Sequence, residues 1–422
     1  MSTLAPVRGS RATILAALAA LVALVAAAPA AAEPTPSRLA GPDLPGGSDP
    51  SLARQPAERP ISAGRLEREL ARLARRAPGA SGYFVKDLDA RGGAILFDRS
   101  EGRRRKLASN QKLFTTTTAL HVLGPGERLQ TRVKAEGEPT EAGRLRGDVY
   151  LIGGGDPGLG SAGMADLAER VSGAGVKRIG GRVIADDSIF DRRRGVADSG
   201  YDASPYVAPL SGLVFDGSTY DLDPALEAGQ AFRDALRDAG VKVDGRVRVG
   251  EIPGKLRDDP ELASHGSDPV GELVRATNKP SDNFYAEMLL KGVAAAGGKE
   301  GTTERGARVV KRYAAELGSG VKARDGSGLT AGNRSSPREV VALLDAVQRE
   351  EGLGAALFDS LAIACKDGTL DGRMEGTAAA GSCRGKTGTI SGVSNLSGYC
   401  SAGGGLVAFS LLMNGVGDVD AA

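Results

Sequence analysis

Predicted helices and strands occur in three blocks along this chain of 422 residues. A helical pattern at 63–76 and short strands at 82–88 and 94–98 come first. Short β-rich runs separated by Gly and Asp then occupy 130–265. Helical patterns return after them, and strand-like runs end the chain. Because strands lie at both ends with helices between them, we expect one discontinuous α/β (α+β) domain whose sheet joins both ends of the chain.

The domain organisation predicted from this pattern has four parts. Residues 61–129 and 266–422 are expected to form the discontinuous domain, and 130–265 a β-rich inserted domain. Residues 33–60 hold seven prolines among Gly, Ser and charged residues, which predicts a flexible linker.

The first 32 residues have the pattern of a secretory signal peptide. Two arginines precede an uncharged, alanine-rich stretch from Ala12 to Ala28, and an Ala-x-Ala pattern follows before Glu33. A membrane anchor is the alternative, but the apolar run is shorter than the roughly 20 residues that span a bilayer. We therefore expect a secreted, extracytoplasmic protein of the periplasm or cell wall, with no permanent membrane span after cleavage.

Composition excludes several classes of function. The chain has 54 Lys and Arg against 52 Asp and Glu, and removal of 1–32, which contains two arginines and no acids, leaves equal numbers. This neutrality disfavours nucleic acid as a partner. With two His, three Cys and no zinc-binding spacing, we expect no metal. The G-x-G-x-x-G pattern at 153–158 contains Pro157 and does not open a helix, so we interpret it as a turn and expect no cofactor.

Three short motifs carry the chemistry, and their order is informative. They are Ser109-Asn110-Gln111-Lys112, Ser281-Asp282-Asn283 and Lys386-Thr387-Gly388. Together they match the signature of class A β-lactamases and penicillin-binding proteins. On a helix, positions i and i+3 share a face, so the Lys112 amine can reach the Ser109 hydroxyl and accept its proton. Taken singly, each motif also fits a helix cap or a solvated lysine.

The other two motifs supply the remaining site residues. Ser281 is expected to relay a proton to the leaving amine, and Asn283 to hold both Lys112 and a substrate amide. Lys386 lies on a predicted strand whose Thr387, Gly388 and Thr389 are expected to bind a substrate peptide as an added β-strand. Backbone N–H groups of Ser109 and Thr389 would then form the oxyanion hole.

These motifs make the chain similar to the D-alanyl-D-alanine carboxypeptidase/endopeptidase family, the class C low-molecular-mass penicillin-binding proteins. The resemblance extends over most of 61–422 and includes 83–89, 278–290, Asp325-Gly326-Ser327-Gly328-Leu329 and 386–399. It implies a serine β-lactamase/DD-peptidase-like domain, in which an antiparallel sheet is packed by helices and interrupted by an inserted domain. It also implies a terminal helix beyond 415, without which we expect apolar strand surface to be exposed.

The resemblance further implies a serine-type carboxypeptidase and endopeptidase. Its substrates would be peptidoglycan stem peptides ending in D-Ala-D-Ala, cleaved through an acyl-enzyme on Ser109, and β-lactam antibiotics would be inhibitors. Two alternatives stay open. A serine β-lactamase shares the motifs, although no convincing E-x-x-x-N partner lies between Lys112 and Ser281. A catalytically silent penicillin- or cell-wall-binding protein would have no need of the intact nucleophile and base.

The cysteines are interpreted from the predicted hairpin around Lys386. A turn centred between Ser391 and Gly392 places Cys383 opposite Cys400, so we expect a disulfide between them that stiffens the substrate-binding strand. The alternative is two unpaired buried thiols. Cys365 is left over and is expected to be buried.

Overall fold

The computed structural model describes residues 63–417, apart from 76, 78–79, 91–92, 203, 219–222 and 403–404. The signal peptide predicted at 1–32 and the linker predicted at 33–60 lie outside the described residues.

A six-stranded antiparallel sheet joins the two ends of the chain, as predicted. Its order is β13-β14-β15-β16-β1-β2, so a strand from the start of the described chain pairs with the last one. The strands are β1 (Gly82–Asp87), β2 (Ile95–Arg99), β13 (Ala362–Ile363), β14 (Cys383–Ile390), β15 (Val393–Ala402) and β16 (Gly405–Asn414). A two-stranded ribbon of β3 (Arg105–Lys106) and β12 (Arg334–Ser335) lies beside it.

Helices cover both faces of this sheet. They are α1 (Ala63–Ala74), α2 (Gln111–Leu123), α5 (Val270–Asn278), α6 (Asn283–Ala295), α7 (Thr303–Glu316), α8 (Pro337–Gln348) and α9 (Leu353–Ser360). Alternate residues of β16 serve the two faces: Phe409 and Leu411 pack with Leu70 of α1, whereas Leu412 packs with the larger helical core. The apolar surface of β16 that was expected to be exposed is buried in the part of the chain that the structure describes, where α1 and residues 370–379 belong to the same core cluster.

Residues 128–269 form a second sheet of order β10-β8-β6-β4-β11. Helices α3 (Ser161–Gly173) and α4 (Pro224–Asp238) pack against it, and the sequence pattern did not predict α4. β6, β8 and β10 are parallel, whereas β4 is antiparallel to both β6 and β11. The strands are β4 (Arg128–Ala135), β6 (Val149–Ile152), β8 (Val183–Asp186), β10 (Val247–Val249) and β11 (Ala263–Pro269).

The β-rich runs at 145–152, 178–185 and 242–249, which the sequence pattern predicts as single strands, are each broken in two. The first halves form a small sheet of order β5-β7-β9, which comprises β5 (Arg144–Leu145), β7 (Arg178–Ile179) and β9 (Lys242–Val243). A glycine lies at each break, where the backbones of the neighbouring segments approach each other closely. A Cβ on Gly181 would lie 2.3 Å from the oxygen of Gly147, and a Cβ on Gly245 would lie 2.4 Å from the oxygen of Gly181. Close backbone approach therefore interrupts the strands at these glycines.

The predicted disulfide is present between Cys383 and Cys400, which face each other across β14 and β15 in the expected register. The turn joins Ile390 to Val393, as the hairpin interpretation required. The remaining cysteine differs from expectation, because Cys365 is partly exposed rather than buried.

We expect the disulfide to stabilise the folded chain by restricting the unfolded one. The bond closes a segment with a sequence separation of 17 residues, and a loop of this size corresponds to about 3 kcal/mol. Replacing Cys383 and Cys400 together by alanine should lower the free energy of unfolding by about that amount in urea denaturation. Cys365→Ala is the control and should change it by less than about 1 kcal/mol. Equal stability of the double variant and the unaltered chain would contradict the expectation.

Candidate active site

Ser109 lies in a 3-10 turn, Ala108–Asn110, that leads directly into α2. The helix contains the poor helix formers Thr115 to Thr118, and it is held together by burial: all residues from Gln111 to Leu120 are buried. The threonine hydroxyls are satisfied within the helix. Thr116, for example, donates to the Lys112 carbonyl at 2.7 Å. A buried, rigid helix thus presents the first motif.

Lys112 is fully buried, and three oxygens lie within hydrogen-bond distance of its amine. Lys112 Nζ lies 3.1 Å from Ser109 Oγ, 2.6 Å from Asn283 Oδ1 and 2.9 Å from the Ser327 carbonyl oxygen. The structure thus brings together the serine and lysine of the first motif and the asparagine of the second. Ser327 was not among the predicted site residues, although its segment Asp325–Leu329 is part of the family resemblance.

Asp282, rather than Ser281, caps helix α6. Its carboxylate accepts from the backbone N–H of Tyr285 at 2.8 Å. Ser281 adopts a left-handed backbone conformation with φ of 66°, which is uncommon for a residue with a side chain and is typical of functional sites. Ser281 immediately precedes this cap, and its expected role as a proton relay stays a prediction.

Asn283 is oriented from both ends of its amide. Its Oδ1 accepts from Lys112, and its Nδ2 donates to the carbonyl oxygen of Tyr206 at 3.1 Å. Tyr206 belongs to the segment between β8 and α4, and it is 59% exposed. One of the two amide hydrogens of Asn283 is thus engaged by the protein's own backbone, and the expected contact with a substrate amide stays a prediction. Every residue has a backbone carbonyl, so the sequence does not indicate which one accepts this hydrogen bond.

Lys386 is buried beside the same amine. Its Nζ donates to the Thr387 carbonyl at 3.1 Å, and its exposure is 0%. Burial, and then the positive charge of Lys112, hold the pKa of Lys386 well below its ordinary value. β14 is hydrogen-bonded to the turn that carries Ser109, because Asn110 Nδ2 donates to the Lys386 carbonyl at 3.0 Å.

The other residues of the third motif line the same strand. A Cβ on Gly388 would lie 2.7 Å from the Leu107 oxygen and 3.0 Å from the Asn110 nitrogen, so glycine permits β14 to contact the turn that carries Ser109. Thr387 Oγ1 donates to Thr369 Oγ1 at 2.9 Å. Thr389 is exposed.

Within the ranges described above, no three His, Cys, Asp or Glu side chains are grouped so that they could hold a metal ion. Over the same ranges, none of the helices combines the length and the apolar character that a membrane crossing needs.

We expect Lys386→Met to stabilise the protein. Because the pKa of Lys386 is lower in the folded chain, the unfolded chain binds more protons, and this lysine opposes folding at pH values below its ordinary pKa of 10.5. Each pKa unit corresponds to about 1.4 kcal/mol. The free energy of unfolding at pH 7 should therefore rise by about 1 kcal/mol or more, and the gain should shrink towards pH 10.

Urea denaturation at both pH values measures this effect. Lys299→Met, at an exposed lysine, is the control and should change the free energy of unfolding by less than about 0.5 kcal/mol. A destabilised Lys386→Met at pH 7 would show that the ammonium group of Lys386 is better accommodated than its burial indicates.

Comparison with known proteins identifies the family. The model of the D-Ala-D-Ala carboxypeptidase 3 (S13) family matches residues 66–223 and 218–422. The D-alanyl-D-alanine carboxypeptidase of Actinomadura sp. (strain R39) is 32% identical, over 79% of this chain and 78% of that protein. Carboxypeptidase DacB of Mycolicibacterium smegmatis is 30% identical, over 78% and 75%.

A solved structure shares the fold. The crystal structure of penicillin binding protein 4 (dacB) from Haemophilus influenzae matches with a TM-score of 0.71 at 21% identity, over 83% of this chain and 95% of that one. The same protein has also been solved in complex with a β-lactam. The chain therefore belongs to the D-Ala-D-Ala carboxypeptidase 3 (S13) family of penicillin-binding serine peptidases.

Proposed function

We propose that this D-Ala-D-Ala carboxypeptidase and peptidoglycan endopeptidase acts through Ser109 as nucleophile and Lys112 as general base. The observation that carries the proposal is the buried Lys112 amine, which contacts the Ser109 hydroxyl at 3.1 Å and is held on its other side by Asn283. A serine hydroxyl becomes a useful nucleophile when an adjacent base accepts its proton. Here the base is in hydrogen-bond reach in the absence of substrate.

The reaction is an acyl transfer in two steps. Lys112 takes the proton of Ser109, whose oxygen attacks the carbonyl of the penultimate D-Ala. The amide bond to the terminal D-Ala breaks, and its nitrogen leaves as an amine protonated through Ser281. Water then cleaves the ester on Ser109 and regenerates the hydroxyl. A β-lactam would acylate the same oxygen by opening of its ring, and hydrolysis of that ester would be slow.

Lys386 contributes charge to this pocket. Two ammonium groups in a site that excludes water repel each other, so simultaneous protonation of Lys112 and Lys386 is disfavoured. A substrate carboxylate beside Lys386, Thr387 and Thr389 would offset that repulsion. Substrate binding as a strand along β14 would also present the scissile carbonyl to the backbone N–H groups of Ser109 and Thr389. Thr389 is exposed and lies on β14 beyond the two residues that pair with β13, which supports this arrangement.

We also propose the domain division 61–129 with 266–422 as the catalytic domain and 130–265 as the insert. The separate sheet formed by residues 128–269 supports it. D-Ala-D-Ala peptides belong to peptidoglycan, so the enzyme acts outside the cytoplasm. We propose that residues 1–32 direct secretion, that 33–60 form the tether, and that the mature enzyme has no permanent membrane span.

The central test of this mechanism is replacement of the nucleophile. Ser109→Ala should abolish both D-Ala release from a pentapeptide ending in D-Ala-D-Ala and covalent labelling by a fluorescent penicillin, because loss of the nucleophile lowers rates by several orders of magnitude. Ser401→Ala, at an exposed serine of β15, is the matched control and should retain both. Label that persists for hours indicates a peptidase, and rapid turnover a β-lactamase. Labelling of Ser109→Ala would place the nucleophile elsewhere.

Gly388→Ala tests the contact between β14 and the nucleophile turn. The added Cβ would overlap the Leu107 carbonyl, and the turn must shift by tenths of an ångström or more. Because small displacements of reacting groups cost up to about a hundredfold in rate, we expect acylation by fluorescent penicillin to slow at least tenfold. Gly126→Ala provides the comparison, since its Cβ would meet nothing within 4 Å. Equal acylation rates in the two variants would refute the close contact.

A further inference from the structure

Two fully buried carboxyl groups lie behind the Lys112 amine, and the mechanism above uses neither. Glu287 is on α6, one helical turn after Asn283 and on the same face, and Asp325 begins the segment that contains Ser327. Both are 0% exposed. Neither was among the site residues predicted from the sequence.

Glu287 binds two backbone N–H groups of the Asp325–Leu329 segment and also interacts with the Ser327 side chain. Its Oε1 accepts from the N–H of Ser327 at 2.7 Å, and both of its oxygens lie 3.0 Å from the nitrogen of Gly326. These bonds fix two successive peptide units immediately before the Ser327 carbonyl. That carbonyl is the third acceptor of Lys112, at 2.9 Å.

Asp325 holds the same segment from its other side. The Ser327 carbonyl and the Gly328 N–H belong to one peptide unit: the oxygen accepts from Lys112, and the N–H donates to Asp325 Oδ1 at 2.8 Å. Asp325 also accepts from the N–H of Thr330 at 2.7 Å and from Asn333 Nδ2 at 2.8 Å. The two carboxylates therefore determine the direction in which this carbonyl points.

The Asp325–Leu329 segment also packs between α6 and the turn that carries Ser109. A Cβ on Gly328, whose φ is 95°, would lie 1.9 Å from the Ala108 oxygen and 3.0 Å from the Ser109 nitrogen. A Cβ on Gly326 would lie 2.5 Å from the Ala286 oxygen. The segment thus touches both the nucleophile turn and α6, and a change in its path would be felt at Ser109.

The direction of the Ser327 carbonyl matters because of the number of hydrogens on a lysine amine. A neutral amine has two N–H donors and one lone pair. If Asn283 Oδ1 and the Ser327 oxygen accept the two hydrogens, the lone pair is left facing Ser109 Oγ, where it can receive a proton. Without the Ser327 acceptor the amine can rotate, and its lone pair is no longer directed at the hydroxyl.

We propose that Glu287 is a positioning residue for acyl transfer, which holds the N–H groups of Gly326 and Ser327 so that the Ser327 carbonyl orients the Lys112 amine. The inference rests on the proposed role of Lys112 as general base. Glu287 does not touch substrate or the reacting atoms. Burial and the neighbouring Asp325 raise the pKa of Glu287 to about 7, which shows that the arrangement is kept at an electrostatic cost.

The test compares two replacements of similar length that differ in one property. Glu287→Gln keeps an oxygen that can accept from both N–H groups, whereas Glu287→Met cannot accept at all. The measurement is the second-order rate of Ser109 acylation by a fluorescent penicillin, per folded molecule, with folding monitored by circular dichroism and thermal denaturation. We expect Glu287→Met to acylate at least tenfold more slowly than the unaltered enzyme and Glu287→Gln to remain within about threefold.

Val293→Ala is the matched structural control. Val293 also lies on α6 and is buried, but it packs in the helical core and makes no polar contact with the Lys112 amine. Its replacement should destabilise α6 and leave the acylation rate per folded molecule within about threefold. If Val293→Ala slows acylation as much as Glu287→Met, the effect is one of helix packing and the inference is wrong.

Further variants separate the possible failures. Lys112→Ala should be inert; if it acylates normally, the proposed general base is wrong and this inference falls with it. If Lys112→Ala is inert while Glu287→Met acylates at the unaltered rate, only the inference fails. Should Glu287→Met not fold, Glu287→Leu takes its place, because leucine also lacks an acceptor but has a different shape. It should slow acylation at least tenfold, and an unchanged rate would overturn the proposal.

Discussion

One buried amine joins three parts of the chain that are far apart in sequence. Lys112 Nζ reaches Ser109 in its own helical turn, Asn283 at a separation of 171 residues and Ser327 at a separation of 215. Burial of a lysine amine is costly unless it finds hydrogen-bond partners, and here the oxygens within reach of Lys112 Nζ belong to elements that pack on or adjoin α2. The nucleophile turn, α6 and the segment after Asp325 can therefore satisfy this amine only when all of them occupy their native positions.

Strand β14 brings a second buried amine, that of Lys386, close to Lys112. Its burial lowers the free energy of unfolding. Burial and the like charge of Lys112 disfavour the protonated form of Lys386, whose amine donates to the backbone carbonyl of Thr387. Gly388 permits β14 to approach the turn that carries Ser109. Active sites commonly keep such destabilising groups where substrate charge will compensate them. The Cys383–Cys400 disulfide lies at the other end of the same strand pair and restricts the hairpin that holds Lys386.

Residues between β8 and α4 also form part of the wall of the site. The segment that contains Phe190 and Val207 packs its apolar side chains with Met288 of α6, and the Tyr206 carbonyl fixes the amide of Asn283. Lys291 is bound to the same segment through Asp191. Helix α6 is thus held from one side by this segment and from the other by the helical core that packs on the six-stranded sheet. Orientation of Asn283 depends on both.

Features that depend on short-range order could be predicted from the sequence alone. Ser109 and Lys112 share a helix face because their spacing is three residues, and the pairing of Cys383 with Cys400 follows from alternation along a hairpin. The discontinuous sheet also follows from where strand patterns occur. The strand β11 escaped prediction because its sequence, Ala-Ser-His-Gly-Ser-Asp-Pro, is polar and pairs along only one edge.

The tertiary structure alone decided how the amine of Lys112 is oriented. Two of the decisive contacts, the carbonyls of Tyr206 and Ser327, are made by backbone atoms that every residue possesses, so no residue type marks them. Glu287 and Asp325 read in the sequence as ordinary acids, and their burial becomes visible only when α6 packs against the Asp325 segment. Sequence spacing determined which side chains can meet within one element, whereas the packing of distant elements determined which backbone groups face them.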